Sequence, residues 1–176
     1  VAPVHKVIPS SEEKNWAERL DIQTIIDIGS NEGQFIKDIS TSLPGRKILA
    51  FEPIPSCYEK LVSNTKNDNV VAYNIGLSDT EGETEINISN NSGSSSILQM
   101  KELHEVSYPD SYYVKKEKIR LERLDNVLAN ISLKKNILIK MDVQGYEKNV
   151  IRGGAEIFSQ AAALIIESIF EPFYDD

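Results

Sequence analysis

Short runs of apolar residues alternate along this chain with amphipathic segments, in which apolar residues recur every three to four positions. The apolar runs are rich in β-branched residues and predict strands that are buried on both faces. They lie at residues 24–28, 47–52, 70–75, 136–142 and 161–167. The amphipathic segments predict helices at residues 34–42 and 56–64, and a third that opens at 144–147 and stops at Gly153 and Gly154. This alternation predicts an α/β fold with a mostly parallel sheet.

The middle of the chain has a different pattern. Residues 83–89 alternate polar and apolar side chains, which predicts a half-exposed antiparallel strand. Residues 115–124 fit a helix or a strand by composition, but their alternation favours an edge strand that leads into a short helix at 125–130. Between them, residues 90–96 (N-N-S-G-S-S-S) form a Ser-rich loop, either simply flexible or ordered over a bound ligand.

The length of 176 residues suits a single domain. We interpret residues 1–9, with two prolines and no periodicity, as a loosely held arm. Residues 10–23 hold an N-terminal helix, which begins at a capping box of Ser10 and Glu13. Residues 24–168 then form the core.

Charge and cysteine content narrow the possible partners. The chain has 27 acidic and 19 basic residues, and its net charge of −8 opposes binding to nucleic acid or to a membrane surface. The single cysteine, Cys57, excludes an internal disulfide framework and suits a reducing compartment such as the cytoplasm. No stretch is apolar and long enough to span a membrane, so we expect a soluble protein. We interpret His5 and His104 as surface residues and assign no residue to a metal.

The segment T-I-I-D-I-G-S-N-E-G, residues 24–33, is the strongest candidate for a ligand site. A buried strand that stops at Gly29 and turns into a helix after Gly33 is how open α/β sheets build a nucleotide cradle. Glycine permits close approach of the backbone, and the first N–H groups of the helix favour anionic oxygens. Two simpler alternatives are that the glycines only shape an ordinary turn and that Asp27, rather than binding a positive or hydroxyl-bearing group, caps the helix.

Two further strand ends carry candidate ligand residues. Glu52 follows Gly33 by 19 positions, close to the ~20 at which such folds place an acid on the ribose hydroxyls. The loop after residue 75 puts Leu77 where an adenine ring can pack, although a plain polar turn explains this loop equally well. Four predicted strands end in an acid, namely Asp27, Glu52, Asp142 and Glu167.

Six segments, taken together and in order, resemble the FkbM family of S-adenosylmethionine-dependent methyltransferases. They are I-I-D-I-G-S-N-E-G-Q-F, F-E-P-I-P, N-I-G-L-S-D-T-E-G, S-G-S-S-S-I, I-K-M-D-V-Q-G-Y-E-K-N-V-I-R-G-G and I-I-E, and they span residues 24–167. The resemblance implies the class I methyltransferase fold, a three-layer sandwich with a mostly parallel, Rossmann-like sheet. It also implies O-methylation of a hydroxyl on a sugar or a small secondary metabolite.

The resemblance also implies roles by position. The loop at residues 27–33 would hold the methionine part of the cofactor, Glu52 the ribose diol, and the loop at Ser78 and Asp79 the adenine, while Asp142 would face the methyl group. The cofactor-binding residues implied are Asp27, Gly29, Ser30, Asn31, Gly33, Glu52, Pro53, Leu77, Ser78 and Asp79.

This chain departs from the family pattern at two places. The usual K-I-D-V-E-G is K-M-D-V-Q-G here, so Gln144 replaces an acid and a charged role for that position is in doubt. Class I methyltransferases also add an antiparallel pair of strands after the run at 161–167, whereas only residues 168–176 remain. We therefore expect either a truncated chain or a sheet without those edge strands.

Methyl transfer requires little from the protein beyond alignment of the reactants and exclusion of water. A hydroxyl is too weak an acid to ionise beforehand, so we expect Asp142 to take its proton as the new C–O bond forms. Asp142 could instead cap the helix after Gly145, or hold Mg²⁺ against the acceptor. Two other functional classes stay open, a cofactor-binding module without catalysis and an NAD-dependent oxidoreductase. The second lacks the full G-x-G-x-x-G fingerprint.

Overall fold

A computed structural model describes residues 17, 19–66, 69–101, 107, 108, 110–167 and 174. The predicted arm, the capping box of Ser10 and Glu13, both histidines and residues 168–173 lie outside this part of the chain. The strands within it are β1 (Thr24–Ile28), β2 (Lys47–Phe51), β3 (Val70–Tyr73), β4 (Gly76–Leu77), β5 (Gly82–Ser89), β6 (Tyr113–Glu122), β7 (Ile137–Met141) and β8 (Ala161–Ile166). The helices are α1 (Gln34–Ser42), α2 (Pro55–Asn64), α3 (Leu124–Leu128), α4 (Glu147–Gly153) and α5 (Ala155–Ser159).

Five parallel strands form the main sheet, in the order β3-β2-β1-β7-β8. The chain builds outward from β1 to β3 and then returns to the other side of β1 with β7. The order therefore reverses between β1 and β7, and ligands of open α/β sheets bind beyond the carboxyl ends of the strands at this point.

Alternate residues of the central strands enter two separate apolar clusters, one on each face of the sheet. Ile26 and Ile28 pack with residues of α3, α4 and α5. Ile25 and Ile48 pack on the opposite face with residues of α1 and α2. Strands that are covered on both faces need apolar residues at every position, which is why their sequences are continuous apolar runs. The prediction of a three-layer α/β sandwich with a mostly parallel sheet is confirmed.

The structure corrects the predicted strand at residues 70–75. Strand β3 ends at Tyr73, because the side-chain amide of Asn74 donates to the carbonyls of Glu52 (2.9 Å) and Pro53 (3.0 Å) and turns the chain. Gly76 and Leu77 then form β4, which pairs with β6 in a second sheet of order β4-β6-β5.

The predicted edge strand at 115–124 is also corrected. It runs from Tyr113 to Glu122 and lies in the middle of the second sheet, antiparallel to β5 and parallel to β4 over its last two residues. Alternation reports that one face of a strand is exposed, and it does not distinguish an edge strand from a central one in a small sheet. The buried face, with Ile119 and Leu121, packs against Ile86 and Ile88 of β5.

The sequence did not predict α5, which begins directly after the pair of glycines at which we expected the helix to stop. Gly153 is needed there for contact, because a Cβ at this position would lie 1.9 Å from the carbonyl oxygen of Ser78. The glycine pair thus joins two short helices and brings α4 against the loop after β4.

Candidate active site

An open cavity lies beyond the carboxyl ends of β1, β2 and β7, where the strand order reverses. Its apolar wall includes Phe51, Ile75 and Leu77, and an apolar lining with a few polar groups at this place in the sheet is typical of small-molecule sites. Six of the predicted site residues line it, namely Gly29, Asn31, Glu52, Pro53, Leu77 and Asp142. The other five, Asp27, Ser30, Gly33, Ser78 and Asp79, are not among its lining residues.

The carboxylate of Glu52 is held by backbone donors. Only 4% of this residue is exposed, and its Oε1 and Oε2 accept the N–H groups of Ile54 and Asn31, each at 2.8 Å. Burial raises the pKa of Glu52 to about 7, partly offset by these two hydrogen bonds. Each carboxylate oxygen can accept more than one hydrogen bond, so Glu52 can still accept from a ligand in the cavity.

The turn after β1 is fixed by contacts with both neighbouring strands. The N–H groups of Gly29 and Ser30 both donate to the carbonyl of Phe51 at 3.0 Å. Gly29 has a φ of +75°, and a Cβ there would lie 1.9 Å from the carbonyl oxygen of Asp142. This glycine therefore permits a close contact between two turns of the protein itself. The side-chain Oδ1 of Asn31 lines the same region and, among the described residues, is buried without a hydrogen-bond partner.

Asp27 lies inside β1, away from the cavity. It is fully buried, and its Oδ1 is 3.6 Å from the Nζ of Lys140, its register neighbour on β7. Burial raises the pKa of Asp27, and the Lys140 ammonium opposes that shift. The alternative that Asp27 caps α1 is wrong, because the N-cap residue is Gly33, at φ 89°, and no side chain makes a cap hydrogen bond there.

Asp142 immediately follows β7 and faces the cavity. Its Oδ1 accepts a hydrogen bond from Nε2 of Gln144 at 2.7 Å, and its Oδ2 lies 3.7 Å from the Nζ of Lys140. Asp142 does not cap α4. The N-cap residue of this helix is Tyr146, and no side chain makes a cap hydrogen bond there. Asp142 is one of the residues that line the cavity.

Ser78 and Asp79 follow β4 and contact residues at the start of α4. The Ser78 hydroxyl lies 3.1 Å from that of Tyr146, and Oδ1 of Asp79 accepts from Nδ2 of Asn149 at 3.3 Å. These contacts fasten the loop after β4 to the start of α4, and Leu77, the last residue of β4, lines the cavity.

The Ser-rich loop also borders the cavity. It contains a helical turn, Ser92–Ser94, capped by the side chain of Asn91. Ser96 exchanges two backbone hydrogen bonds with Asn87, and its hydroxyl donates to the carbonyl of Gln144 at 2.7 Å. These contacts hold the loop beside the cavity, and its ordering over a bound ligand stays a prediction.

Sequence reasoning missed Lys140 as a site residue. Its side chain is 13% exposed, lies near both Asp27 and Asp142, and donates to the carbonyl of Gly29 at 3.2 Å. A lysine inside a buried apolar run was the available signal, because lysine is rarely buried unless it is paired.

In the described ranges, no three His, Cys, Asp or Glu side chains are arranged to hold a metal ion. The helices in those same ranges are also too short or too polar for any of them to cross a membrane.

Comparison with known proteins decides the family. The model of the methyltransferase FkbM domain matches residues 27–176. The chain belongs to this family. It is therefore a methyltransferase domain, and S-adenosylmethionine, which the resemblance implied, is its cofactor. Membership also removes the NAD-dependent oxidoreductase alternative.

Curated relatives agree with this assignment. The chain is 28% identical over 180 residues to 2-O-methyltransferase NoeI of Sinorhizobium fredii, covering 98% of this chain and 71% of NoeI. It is 29% identical over 173 residues to methyltransferase sdnD of Sordaria araneosa, covering 84% of this chain and 66% of sdnD. The chain thus spans 66% to 71% of the length of these two relatives.

Two solved structures are similar at a lower level. The plantazolicin methyltransferase BpumL in complex with SAH gives a TM-score of 0.44 at 12% identity, covering 85% of this chain and 41% of BpumL. Precorrin-6y C5,15-methyltransferase from Geobacter metallireducens gives 0.44 at 12% identity, covering 96% and 68%. At these scores neither structure supports an argument about this chain.

The chemistry of the cavity lining suits the cofactor. S-adenosylmethionine offers ribose hydroxyls and amino groups as hydrogen-bond donors and has an adenine ring with two apolar faces. The cavity offers acceptors at Glu52, Asn31 and Asp142 and an apolar wall around Leu77.

Proposed function

We propose that this domain transfers a methyl group from S-adenosylmethionine to a hydroxyl of a sugar or a small secondary metabolite. The observation that carries the proposal is that one cavity at the strand-order reversal is lined by two strand-end carboxylates, Glu52 and Asp142. The name of the relative NoeI, a 2-O-methyltransferase, supports transfer to oxygen. The net charge of −8 favours a small acceptor over nucleic acid, and we keep the cytoplasm as the expected location.

In this proposal, Glu52 binds the ribose diol, Leu77 packs on the adenine, and Asn31 accepts from the methionine part. Pro53 and Gly29 shape the adjoining walls of the cavity. For Asp27, Ser30, Gly33, Ser78 and Asp79 we propose support of these turns in place of direct contact, because they do not line the cavity.

Asp142 receives the proton of the acceptor hydroxyl. The bound cofactor supplies an electrophilic methyl group on a sulfonium, which needs no covalent help from the protein. The chain must orient the hydroxyl, exclude water and accept one proton as the C–O bond forms. A carboxylate beside the cavity, held by Gln144 and Lys140, suits that task.

Calorimetry and product analysis together test the proposal. We expect S-adenosylmethionine to bind while NADH gives no heat. We also expect S-adenosylhomocysteine to form, by mass spectrometry, when a panel of monosaccharides and hydroxylated metabolites is added. Cofactor binding with no product from any hydroxyl acceptor would favour the module without catalysis.

A further inference from the structure

The side chain of Gln144 stands between Asp142 and Tyr174 and contacts both. Its Nε2 donates to Oδ1 of Asp142 at 2.7 Å, and its Oε1 accepts from the hydroxyl of Tyr174 at 2.8 Å. A carboxylate only accepts hydrogen bonds, so the amide nitrogen must face Asp142 and the amide oxygen is left for the tyrosine. Burial raises the pKa of Tyr174, which keeps its hydroxyl protonated as a donor.

The backbone of Gln144 is fixed as well. The residue has a φ of +53°, in the left-handed region, and its carbonyl accepts from the hydroxyl of Ser96 in the Ser-rich loop. A residue with both its backbone and its side chain anchored can hold a neighbour in one orientation. Gln144 also lines the cavity, so its amide reaches Asp142 at the cavity wall.

Most of the charged side chains near Asp142 and Tyr174 are acidic. Lys140 of β7 supplies a positive charge, 3.7 Å from Oδ2 of Asp142. Among the described residues, the other titratable groups that act on Asp142 or Tyr174 are Asp27, Tyr113, Glu147 and Glu167. A neutral donor at position 144 adds a hydrogen bond to Asp142 without adding another negative charge.

We propose that Gln144 is a positioning residue, whose amide holds the Asp142 carboxylate toward the acceptor and leaves it without a shared proton. This proposal rests on the proposed function only for the role of Asp142 as proton acceptor. The contact itself is testable in the protein without cofactor or acceptor.

The first experiment measures thermal unfolding of Gln144→Glu without ligand. The substitution keeps the shape but replaces the donor by a second carboxylate, so the two acids must share a proton, and their common pKa rises. A carboxyl pair whose folded pKa is raised stabilises the protein at low pH and loses that stabilisation as the pH rises. We expect a Tm within about 2 °C of wild type at about pH 5 and about 5–10 °C below it at about pH 8.

Gln23→Glu is the matched control. Nε2 of Gln23 donates to Oδ1 of Asp21 at 2.5 Å, two residues away in the chain, in an exposed pair. Water screens the two carboxylates there, so we expect the same Tm offset at both pH values. If Gln144→Glu behaved like this control, the proposed contact would be overturned.

The double variant Asp142→Asn, Gln144→Glu exchanges donor and acceptor. An asparagine can donate to a glutamate, so we expect the pH-dependent loss of Tm to disappear. Persistence of that loss would contradict a direct contact between the two side chains.

The pH profile of methyl transfer tests the positioning role. In Gln144→Glu, we expect the acid limb of kcat/KM to move upward by about 1–2 pH units, because the shared proton must leave before Asp142 can accept another. If Gln144→Glu is active and the acid limb of its kcat/KM profile lies at the same pH as in wild type, the proposal is wrong. A wild-type protein that methylates no hydroxyl would contradict the proposed function instead, and the unfolding experiments would still decide the contact.

Discussion

The carboxylates of Glu52 and Asp142 line one cavity and are held there by different means. Glu52 is 4% exposed, and both of its oxygens accept backbone N–H groups. The Asp142 side chain is 18% exposed, and its oxygens face the side chains of Gln144 and Lys140. The first carboxylate is positioned by the fold and the second by other residues' side chains.

Contacts of Glu52 depend on the backbone, whereas contacts of Asp142 depend on particular side chains. Backbone donors to Glu52 persist with any residue other than proline at positions 31 and 54. The hydrogen bond from Gln144 to Asp142, in contrast, is lost with a single substitution. We therefore expect the two acids to fail in different ways.

Asp142→Asn gives the largest expected effect. Asparagine keeps the shape but cannot take the proton, so methyl transfer should slow by about 10²–10⁴-fold while S-adenosylmethionine binds with near-native affinity. Single-turnover kinetics and calorimetry measure the two quantities. Activity within a few-fold of wild type would leave Asp142 without a catalytic role.

The pH dependence of stability sharpens the comparison at Glu52. Its folded pKa of about 7 lies above its ordinary value of 4.5, so its contribution is complete below 4.5 and is lost as the pH rises toward 7. This loss amounts to about 3 kcal/mol at most. Urea unfolding of the ligand-free protein should show the decline, and Glu52→Gln should flatten it. The pKa of Asp27 is also raised, so Asp27 changes stability with pH in the same direction. The difference between wild type and Glu52→Gln therefore gives the contribution of Glu52 alone. Parallel curves would contradict the assignment.

Glu52→Ala should weaken cofactor binding. At a pH above about 8, where Glu52 is ionised, loss of the hydrogen bonds from the ribose diol should weaken S-adenosylmethionine binding by about 1.5–3 kcal/mol. Calorimetry measures this directly, with Asp142→Asn as the matched comparison. If both variants weakened binding equally, the division between a binding acid and a reacting acid would be wrong.

Tyr174→Phe gives the smallest expected effect. It removes the donor to Oε1 of Gln144 and should lower stability by about 0.5–1.5 kcal/mol, the usual worth of one hydrogen bond. Tyr113→Phe is the control, because its hydroxyl donates to the carbonyl of Leu98 at 2.7 Å and is not bonded to Gln144. We expect similar losses of Tm but a changed pH profile of methyl transfer in Tyr174→Phe alone. Identical profiles would show that Tyr174 does not act through Gln144.

The sequence was sufficient for the central sheet, because a strand that is buried on both faces must be apolar along its whole length. The candidate acid at residue 52 could be predicted for a similar reason, since its position follows from the lengths of one turn, one helix and one strand. The break of the third strand at Asn74 could not be predicted, because it depends on carbonyls that lie 21 and 22 positions earlier.

The surroundings of Asp142 were also beyond sequence reasoning. Lys140 meets Asp27 only because β1 and β7 are neighbours in register, and Gln144 meets Tyr174 across 30 positions. The pattern of residues in a short stretch of sequence does not indicate which distant residues will be in contact. A lysine in the K-M-D segment is equally compatible with a solvated side chain until the strand order is known.

The close approach at Gly29 limits how this enzyme can be re-engineered. Because a Cβ at residue 29 would overlap the carbonyl of Asp142, the turns after β1 and β7 can lie this close together only with glycine at position 29. Any loop exchange at residues 142–146 must therefore keep glycine at position 29 and the backbone path at residue 142. Exchange of the Ser-rich loop, which meets this turn through the Ser96 hydroxyl, does not carry that steric condition.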